Sequence, residues 1–361
     1  MIFHFFKGRI ALYAILRAAG IGANDEVIVP GFTCVAVPQA VTYAGGRPIY
    51  ADVAADTYCM DAASVSLKLT SRTKAIVVQH TFGIPAPMDE TLRLAKERGL
   101  LVIEDCCHAL GSRRGNTEVG QFGHAAFFSS QWTKPITTGL GGWAIVKDLW
   151  LTERMTALYS HFASPSLVES LRLQLQVMIY TAVYKPQWFW WLRDAYRILG
   201  ESGLAVASST REELRGDRPS RYAKRMSPWQ ARLLDRKLRR YGGILAHRRV
   251  VAGKYEMLLR QTGLKALDLP SDCDAVLLRY PMFVANKRAF LAEARRRRLE
   301  IGDWFVSPVH PKLDNWDAFG YQPGSCPIGE MLSQHVVNLP THQRIKEAEF
   351  TRISELVLEC A

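Results

Sequence analysis

Lys134 lies in a segment that has the composition of a loop. In SSQWTKPITTGLGGWAIV, residues 129–146, this lysine follows small polar residues and precedes two adjacent glycines and a short apolar run at 143–146. Most lysines in such a segment are solvated surface charges. A lysine in a dry pocket has a lowered pKa instead, and it can bond covalently to the carbonyl group of a bound partner. The surroundings of the side chain distinguish the two interpretations.

Polar side chains stand at the ends of three predicted strands. Residues 74–80, 100–105 and 125–130 are predicted as buried strands, and His80, Asp105 and Ser129 fall at their carboxyl ends. Ligands of open α/β sheets bind beyond these ends. We therefore expect the three side chains to border one pocket, which Lys134 reaches by a single short loop after Ser129.

These residue types are the ones that pyridoxal 5'-phosphate requires. Its aldehyde bonds to a lysine, its pyridine nitrogen needs a carboxylate that keeps it protonated, and its phosphate needs hydroxyls and amides at a helix N-terminus. Lys134 and Asp105 suit the first two roles, and Ser129 suits the third together with the amides after Gly8. His108, three residues past Asp105, could contact the ring or its 3-hydroxyl. Taken singly, each residue also fits an ordinary role, such as a helix cap, an ion-pair partner, a packed ring or a loop hydroxyl.

The elements that must position these residues alternate along the first half of the chain. Short apolar runs predict strands at 26–30, 47–52, 74–80, 100–105, 125–130 and 142–146. Between two of them, ETLRLAKER has a helical apolar period, with Asp89 as the predicted N-cap and Gly99 as the C-cap glycine. Two buried strands joined by a helix form a right-handed crossover, which predicts a mostly parallel sheet flanked by helices.

The apolar N-terminus MIFHFFKGRIALYAIL is predicted as an ordinary first helix. Lys7 and Arg9 interrupt it, and no small-residue cleavage site follows, which argues against a signal peptide.

The chain of 361 residues exceeds what one core usually supports. We predict a large domain over 1–240, with a helical, aromatic-rich insertion at about 150–220, and a smaller α/β domain over 241–361. The small domain would begin as strand, helix and strand over 279–306 and end in a helix over 348–360.

The insertion has two interpretations. In the first, it packs on the body of the protein or on a second subunit. In the second, residues 165–200 make a peripheral membrane contact, with Trp188, Phe189, Trp190 and Trp191 in the lipid interface. No apolar run reaches the ~20 residues of a membrane span.

The net charge of +12, from 46 basic and 34 acidic residues, favours anionic partners. Nucleic acid is not predicted, because no helix-turn-helix or RNP-like pattern occurs and ARRRRL, 294–299, suits a solvated helix face. The seven cysteines form no CxxC pair, so neither a disulfide framework nor a metal site is predicted, and a reducing cytoplasm fits best.

Several segments resemble the DegT/DnrJ/EryC1/StrS family of pyridoxal phosphate-dependent sugar aminotransferases. The resemblance covers most of the chain outside 150–220 and is carried by GIGANDEVIVPGFTCVAVPQAVTYAGGRPIYADVAADTYCMD, TKAIVVQHTFGIPAPMDE, VIEDCCHALGS, FFSSQWTKPITTGLGGWAIV, RMSPWQARLL and CPIGEMLSQHVVNLPTH.

The resemblance implies the type I fold of pyridoxal phosphate-dependent transferases. It implies that Lys134 holds the cofactor and then moves a proton, that Asp105 pairs with the pyridine nitrogen, and that His108 lies near the 3-hydroxyl. Ser129 and the backbone after Gly8 would bind the phosphate. It further implies glutamate as amino donor, a nucleotide-linked keto sugar as acceptor, and a homodimer whose active sites borrow residues from the partner. The product would serve surface polysaccharide or lipopolysaccharide synthesis.

The chain departs from the family pattern at four positions. Arg9 replaces a threonine, and its guanidinium could take over the phosphate contact. Cys34 replaces a stacking aromatic residue, Ala223 an asparagine that reaches the phosphate from the partner, and Leu140 a glutamate. These changes leave open a second hypothesis, a catalytically inactive scaffold that docks a glycan-assembly complex at the membrane.

The retained Lys134 argues against the dehydratase branch of the family, where a histidine stands in its place. Asp303, Trp304 and His310 either line the pocket or merely pack.

Overall fold

A computed structural model describes residues 1–201 and 205–360 of the chain. Its strands are β1 (Ile2–Phe5), β2 (Glu26–Pro30), β3 (Thr33–Cys34), β4 (Arg47–Ala51), β5 (Thr73–Gln79), β6 (Leu101–Asp105), β7 (Arg113–Arg114), β8 (Thr117–Glu118), β9 (Ala125–Ser129), β10 (Gly142–Val146), β11 (Cys273–Asp274), β12 (Arg279–Phe283), β13 (Val309–His310) and β14 (Val336–Pro340). Its helices are α1 (Gly8–Ala19), α2 (Ala36–Ala44), α3 (Ala62–Ser66), α4 (Met88–Arg98), α5 (Leu149–Ser160), α6 (Leu167–Val183), α7 (Phe189–Glu201), α8 (Arg211–Arg215), α9 (Pro228–Leu238), α10 (Gly242–Gln261), α11 (Lys287–Arg296), α12 (Pro327–His335) and α13 (Glu347–Cys360).

Seven strands form the main sheet, in the order β1-β10-β9-β6-β5-β2-β4. β9, β6, β5, β2 and β4 run parallel, while β10 is antiparallel to both of its neighbours. Side chains alternate between two cores, so that Val27 and Val29 face α1 and α2 whereas Ile28 faces the opposite core. Burial on both faces explains why the strands are continuous apolar runs in the sequence. The predicted α/β fold is confirmed, and all six predicted runs form strands.

Helix α4 connects β5 to β6, as predicted. Gly99 ends the helix with a φ of 64°, in the left-handed region where glycine has no Cβ to clash. The prediction of Asp89 as the N-cap is wrong, because Pro87 occupies that position and the helix begins at Met88, whose side chain is buried. Asp89 lies in the first turn, where its carboxylate interacts favourably with the helix dipole.

The prediction of a helix from the first residue is also wrong. Ile2–Phe5 form β1, which pairs with β10 at the edge of the sheet, and α1 begins only at Gly8. Phe3 and Phe5 are buried while Ile2 is exposed, which is the two-residue period of a strand. Four residues are too few for this alternation to stand out from the apolar helix that follows.

The insertion is helical and packs largely on the body of the protein. Its helices are α5 to α8. Trp190 is only 8% exposed, and its Nε1 donates to the carbonyl oxygen of Leu299 at 2.7 Å. The prediction that all four neighbouring aromatic residues face lipid is therefore wrong, although Trp188 and Trp191 are exposed. None of the helices in the described residues is both long and apolar enough to cross a lipid bilayer.

The C-terminal part of the chain follows α10 and has its own two-stranded sheet, in which β12 pairs antiparallel with β14. Helix α11 contacts both α13 and β14. The predicted second strand at the end of 279–306 is wrong. Gly302 makes only an isolated bridge to Asn338, whose Oδ1 accepts from the Trp304 backbone N–H at 2.8 Å. The later strand β14 takes the place beside β12.

A buried carboxylate of this part should make stability depend on acid pH. Glu300 accepts hydrogen bonds from His342 Nε2 at 2.8 Å and from the Tyr184 hydroxyl, and Arg279 Nη2 lies 3.4 Å away. Burial alone would raise the pKa of Glu300, but the charges of His342 and Arg279 outweigh it and lower the pKa to about 2.

A carboxyl whose folded-state pKa is lowered stabilises the fold above its unfolded pKa of about 4.3, and this stabilisation is lost as the pH falls toward the folded pKa. Between about pH 5 and pH 2 we expect the wild type to lose roughly 3 kcal/mol more unfolding free energy than Glu300→Gln. Urea unfolding at a series of pH values measures this, with Glu355→Gln at an exposed carboxyl as control. If the unfolding free energies of the wild type and of Glu300→Gln fell in parallel as the pH was lowered, the expectation would be contradicted.

Candidate active site

A large cavity opens beyond the carboxyl ends of the parallel strands. It has a volume of about 1010 Å³, and His108, Lys134, Trp304 and His310 are among its lining residues. A smaller recess of about 70 Å³ shares Cys34 and other lining residues with it. The six predicted site residues all border the recess: Gly8, Arg9, Asp105, His108, Ser129 and Lys134.

His80 is the strand-end residue that the structure places elsewhere. It is fully buried, its Nε2 donates to Glu104 Oε2 at 3.0 Å, and its Nδ1 accepts from the Ala86 N–H at 3.0 Å. The expectation that His80 borders the pocket is therefore wrong. The side chain of Gln79, one residue earlier, lines the recess instead.

His80, Glu104 and Cys106 could be mistaken for a metal site, because their ligand atoms lie within 4.8 Å of one another. The carboxylate of Glu104, however, also accepts the backbone N–H groups of Gly120, Phe122 and Gly123 at 2.7 to 2.8 Å. With both histidine nitrogens also occupied, the donors serve a structural network that holds the 120–123 turn against β6.

Lys134 lies in a loop between β9 and β10 that hydrogen bonds close. The Ser130 and Thr138 hydroxyls are 2.7 Å apart, and the Thr138 N–H donates to the Ser130 carbonyl at 2.8 Å. The Nζ atom of Lys134 lies 5.0 Å from the centre of the Trp304 ring and forms no hydrogen bond within the described chain. Burial lowers the pKa of Lys134, and the charge of Asp105 only partly offsets this. The side chain is thus a cavity lysine that gives up its proton readily.

Asp105 ends β6 with a nearly buried carboxylate. Its Oδ1 accepts the Cys107 N–H at 2.9 Å, and among the described side chains no cation forms an ion pair with it. Burial raises the pKa of Asp105, against the opposing effects of the Cys107 N–H and the charge of Lys134. A buried carboxylate without a paired cation is costly. A protonated pyridine nitrogen would supply that cation, so this donor fits the cofactor.

The ring of His108 lies nearly parallel to two neighbouring aromatic rings. Its ring centre is 5.5 Å from that of Trp304 and 6.2 Å from that of Phe82, with interplanar angles of 12° and 14°. Its Nδ1 accepts the Phe82 N–H at 3.3 Å. Burial lowers its pKa well below the ordinary value, and the charges of Lys134 and Arg279 add to this. The neutral ring therefore carries its proton on Nε2, which makes that atom a hydrogen-bond donor.

The N-terminus of α1 packs directly on the end of β9. A Cβ atom on Gly8 would lie 3.1 Å from Ser129 Cβ, and one on Gly142 would lie 2.4 Å from the Cα of Gly8. Glycine at these two positions permits the close approach of helix and strand. The approach brings the first amides of α1 and the Ser129 hydroxyl to one recess, which is the arrangement that binds a phosphate group.

The guanidinium of Arg9 forms hydrogen bonds with residues of α2 and of the insertion. Its Nη1 donates to Gln39 Oε1 at 3.0 Å and to Glu213 Oε1 at 3.3 Å, and its Nη2 donates to Ser209 Oγ at 2.8 Å. Lys7 Nζ pairs with the same Glu213 carboxylate at 3.1 Å. Burial raises the pKa of Glu213, but the charges of Arg9 and Lys7 outweigh it and the net shift is downward. Arg9 therefore joins the insertion to α1.

Replacing Arg9 by glutamine should cost about 2–3 kcal/mol of unfolding free energy, because the buried Glu213 carboxylate loses one of its two cations. The double variant Arg9→Gln/Glu213→Gln should recover part of this loss, because it removes the unpaired charge as well. Urea unfolding of the two single variants, Arg9→Gln and Glu213→Gln, and of the double variant tests the coupling. If the losses of the two single variants add up to that of the double variant, the pair contributes no interaction energy of its own.

The sequence analysis did not identify two site residues beside the N-terminus of α1, Lys7 and Glu213. Each had a signal in the sequence that could have marked it. Lys7 is a cation directly before a helix, which is unusual because the helix dipole is positive at that end. Glu213 completes the capping-box pattern T210-x-x-E213. For Asp303, Trp304 and His310 the sequence left open whether they line the pocket or pack. Trp304 and His310 line the large cavity, whereas the carboxylate of Asp303 pairs with Arg193 at 3.2 Å.

The chain is similar to known proteins in sequence and in structure. The sequence model of the DegT/DnrJ/EryC1/StrS aminotransferase family matches residues 6–171 and 192–358. GDP-perosamine synthase from Escherichia coli O157:H7 is 42% identical over 148 residues, which are 41% of this chain and 41% of the synthase, so the matched stretch spans less than half of that relative. UDP-N-acetyl-3-dehydro-alpha-D-glucosamine 3-aminotransferase from Acidithiobacillus ferrooxidans is 27% identical over 353 residues, 97% of this chain and 82% of the relative. The structure of Spr1654 from Streptococcus pneumoniae in its PLP-form superposes with a TM-score of 0.74 at 21% identity, covering 98% of this chain and 85% of that one.

Proposed function

The chain belongs to the pyridoxal phosphate-dependent DegT/DnrJ/EryC1/StrS aminotransferase family, and we propose that it is a sugar aminotransferase that moves the amino group of glutamate to a nucleotide-linked keto sugar. The observation that carries the proposal is the shared recess of Lys134 and Asp105, with Gly8 and Ser129 in the same lining. We further propose that the protein works in the cytoplasm as a homodimer and serves surface polysaccharide or lipopolysaccharide synthesis, as the family resemblance implies.

The residues of the recess suit the parts of the cofactor. We propose that Lys134 holds it covalently, that Asp105 pairs with its pyridine nitrogen, and that the Nε2–H of His108 donates to its 3-hydroxyl. The Ser129 hydroxyl and the backbone N–H of Arg9, the residue after Gly8, would bind the phosphate. When bound, pyridoxal phosphate supplies an aldehyde that takes up the amino group and a ring that withdraws electrons from the reacting carbon.

The side chains around it provide proton transfer and exclude water. The lowered pKa of Lys134 would let its neutral Nζ accept the proton from the substrate carbon that carries nitrogen. The resulting ammonium would return the proton to the carbon on the other side of that nitrogen. Trp304, against which Nζ lies, covers this atom from the side of the C-terminal part. Asp105 stays charged as long as a cation is paired with it, which keeps that cation protonated throughout the reaction.

The large cavity has the charge that a diphosphate substrate requires. Even without Lys134, its lining carries more cationic than anionic side chains, the cations being Lys7, Arg9, Arg172, Arg193, Arg211, Arg221 and Lys224 and the carboxylates Glu169 and Glu213. Two relatives are named for GDP- and UDP-linked sugars, which supports a nucleotide-linked acceptor for this chain as well.

Transfer of heavy nitrogen tests the proposal. The protein is loaded with pyridoxal phosphate and incubated with nitrogen-labelled glutamate and a panel of nucleotide-linked 3-keto and 4-keto sugars, and mass spectrometry follows the label. We expect the label in one amino sugar product and 2-oxoglutarate in equal amount, with labelled aspartate as the donor control. A protein that takes up the cofactor but moves no nitrogen from glutamate would support the inactive scaffold instead.

A further inference from the structure

Helix α6 exposes a continuous row of apolar side chains. Val168, Leu171, Leu175, Met178 and Ile179 are each more than half exposed. Leu173 and Val177, on the opposite side of the helix, are buried and hold it against the body of the protein. Because their spacing follows the helical period, the exposed residues form one stripe rather than scattered contacts. An apolar stripe of this length on a protein surface marks an interaction site.

Most of the stripe belongs to a segment that is not common to the family. The family model passes over residues 172–191, which contain Leu175, Met178 and Ile179 as well as the exposed Trp188. A surface shared by the family's subunit contacts would be built from residues that the family model matches. Contacts that the whole family shares therefore do not account for Leu175, Met178 and Ile179 of the stripe.

The charges beside the stripe indicate what that occupant is. Arg172 is exposed on the same helix, and Lys185 follows the helix with its Nζ 5.0 Å from the centre of the exposed Trp188 ring. Cations and tryptophan beside an apolar helix face are typical of a helix that lies in the headgroup region of a bilayer. Val168 and Arg172 also line the cationic cavity, so the stripe borders the mouth of the active site.

We propose that the α6 stripe docks the protein on the surface of a bilayer that contains anionic lipids. The stripe residues enter the boundary between headgroups and acyl chains, while Arg172 and Lys185 contact lipid phosphates. Docking brings the mouth of the cavity to the membrane surface, where glycan acceptors and carriers are assembled. Lipid binding of this kind is independent of amino transfer, so the two proposals can fail separately.

Vesicle flotation of the full chain, loaded with pyridoxal phosphate, tests the proposal. The wild type should float with vesicles of phosphatidylcholine and phosphatidylglycerol and much less with phosphatidylcholine alone. Leu171→Gln/Leu175→Gln/Met178→Gln should reduce the vesicle-bound fraction at least about tenfold, because three apolar side chains no longer gain from leaving water. Glutamine keeps the helix propensity of leucine and methionine, so the helix itself is retained.

A matched variant controls for the loss of apolar surface. Leu149→Gln/Val250→Gln/Met257→Gln removes three exposed apolar side chains from α5 and α10, outside the stripe, and should float like the wild type. Failure of the wild type to float, or equal flotation of the stripe variant, would overturn the proposal. Sedimentation velocity identifies the competing occupant: loss of a dimer in the stripe variant, without any vesicle binding by the wild type, would assign the stripe to a second copy of the chain.

Discussion

Replacing Lys134 by alanine is expected to abolish borohydride-stable attachment of pyridoxal phosphate and to lower amino transfer by about four orders of magnitude or more. The wild type, treated with the cofactor and then with borohydride, should yield one tryptic peptide around residue 134 with the mass of the reduced cofactor attached. The physical reason is that Lys134 borders the recess together with Asp105 and forms no ion pair within the described chain, whereas Lys7, another lysine of the lining, pairs with Glu213. Burial lowers the pKa of Lys134 and so favours its nucleophilic form.

Lys147→Ala serves as the matched control. Lys147 is an exposed lysine of the segment that follows β10, and its Nζ donates to the carbonyl oxygen of Gln121. Its removal should leave both the labelled peptide and the rate unchanged. Attachment of the cofactor to any lysine in the Lys134→Ala variant at wild-type yield would refute the assignment, even if the fold and the sugar chemistry were correct.

The substitution Asp105→Asn should have the second largest effect on amino transfer. It should lower catalysis without lowering the stability of the cofactor-free protein. Without the carboxylate, the pyridine nitrogen loses the partner that keeps it protonated, and we expect kcat to fall by about three orders of magnitude. The amide can still accept the Cys107 N–H, so the local backbone is retained.

The unfolding free energy of the cofactor-free protein should not fall with this substitution. Because burial raises the pKa of Asp105, the charged carboxylate opposes folding in the absence of a cation, and the neutral amide should leave the stability at neutral pH equal to or above that of the wild type. Urea unfolding with and without pyridoxal phosphate separates the two effects, with Asp56→Asn at an exposed carboxyl as control. A cofactor-free variant that is several kcal/mol less stable would show that Asp105 is a structural residue.

The parallel strands could be predicted because each is buried on both faces and so forms a continuous apolar run. Their ends then located Asp105 and Ser129, and the short loop after β9 located Lys134. β1 could not be predicted in the same way, since its four residues run into an apolar helix. His80 was misplaced because the two sides of a strand end look alike in a sequence, whereas only one side faces the recess.

Contacts between distant parts of the chain were beyond the sequence analysis. Two partners of Arg9, Ser209 and Glu213, lie 200 and 204 positions away, so nothing in the sequence showed that its guanidinium turns toward Glu213. Trp190 was misassigned for a related reason. Trp188 and Trp191 are exposed, but the indole N–H of Trp190 donates to the buried carbonyl oxygen of Leu299, 109 residues later in the sequence.

The ion pair between Arg9 and Glu213 has a consequence for how this protein can be altered. The arginine stands at the start of the first helix and the glutamate in the insertion. Without Glu213 both Arg9 and Lys7 lose their carboxylate partner, and without Arg9 the buried glutamate keeps Lys7 alone. Trimming the insertion to obtain a shorter enzyme should fail unless Arg9 is changed to an uncharged residue at the same time. For the same reason, transplanting the insertion into a relative that has threonine at this position would remove one of the two cations that the glutamate pairs with here. We therefore expect that relatives with an acidic residue at the position of Glu213 also carry a cation at the position of Arg9.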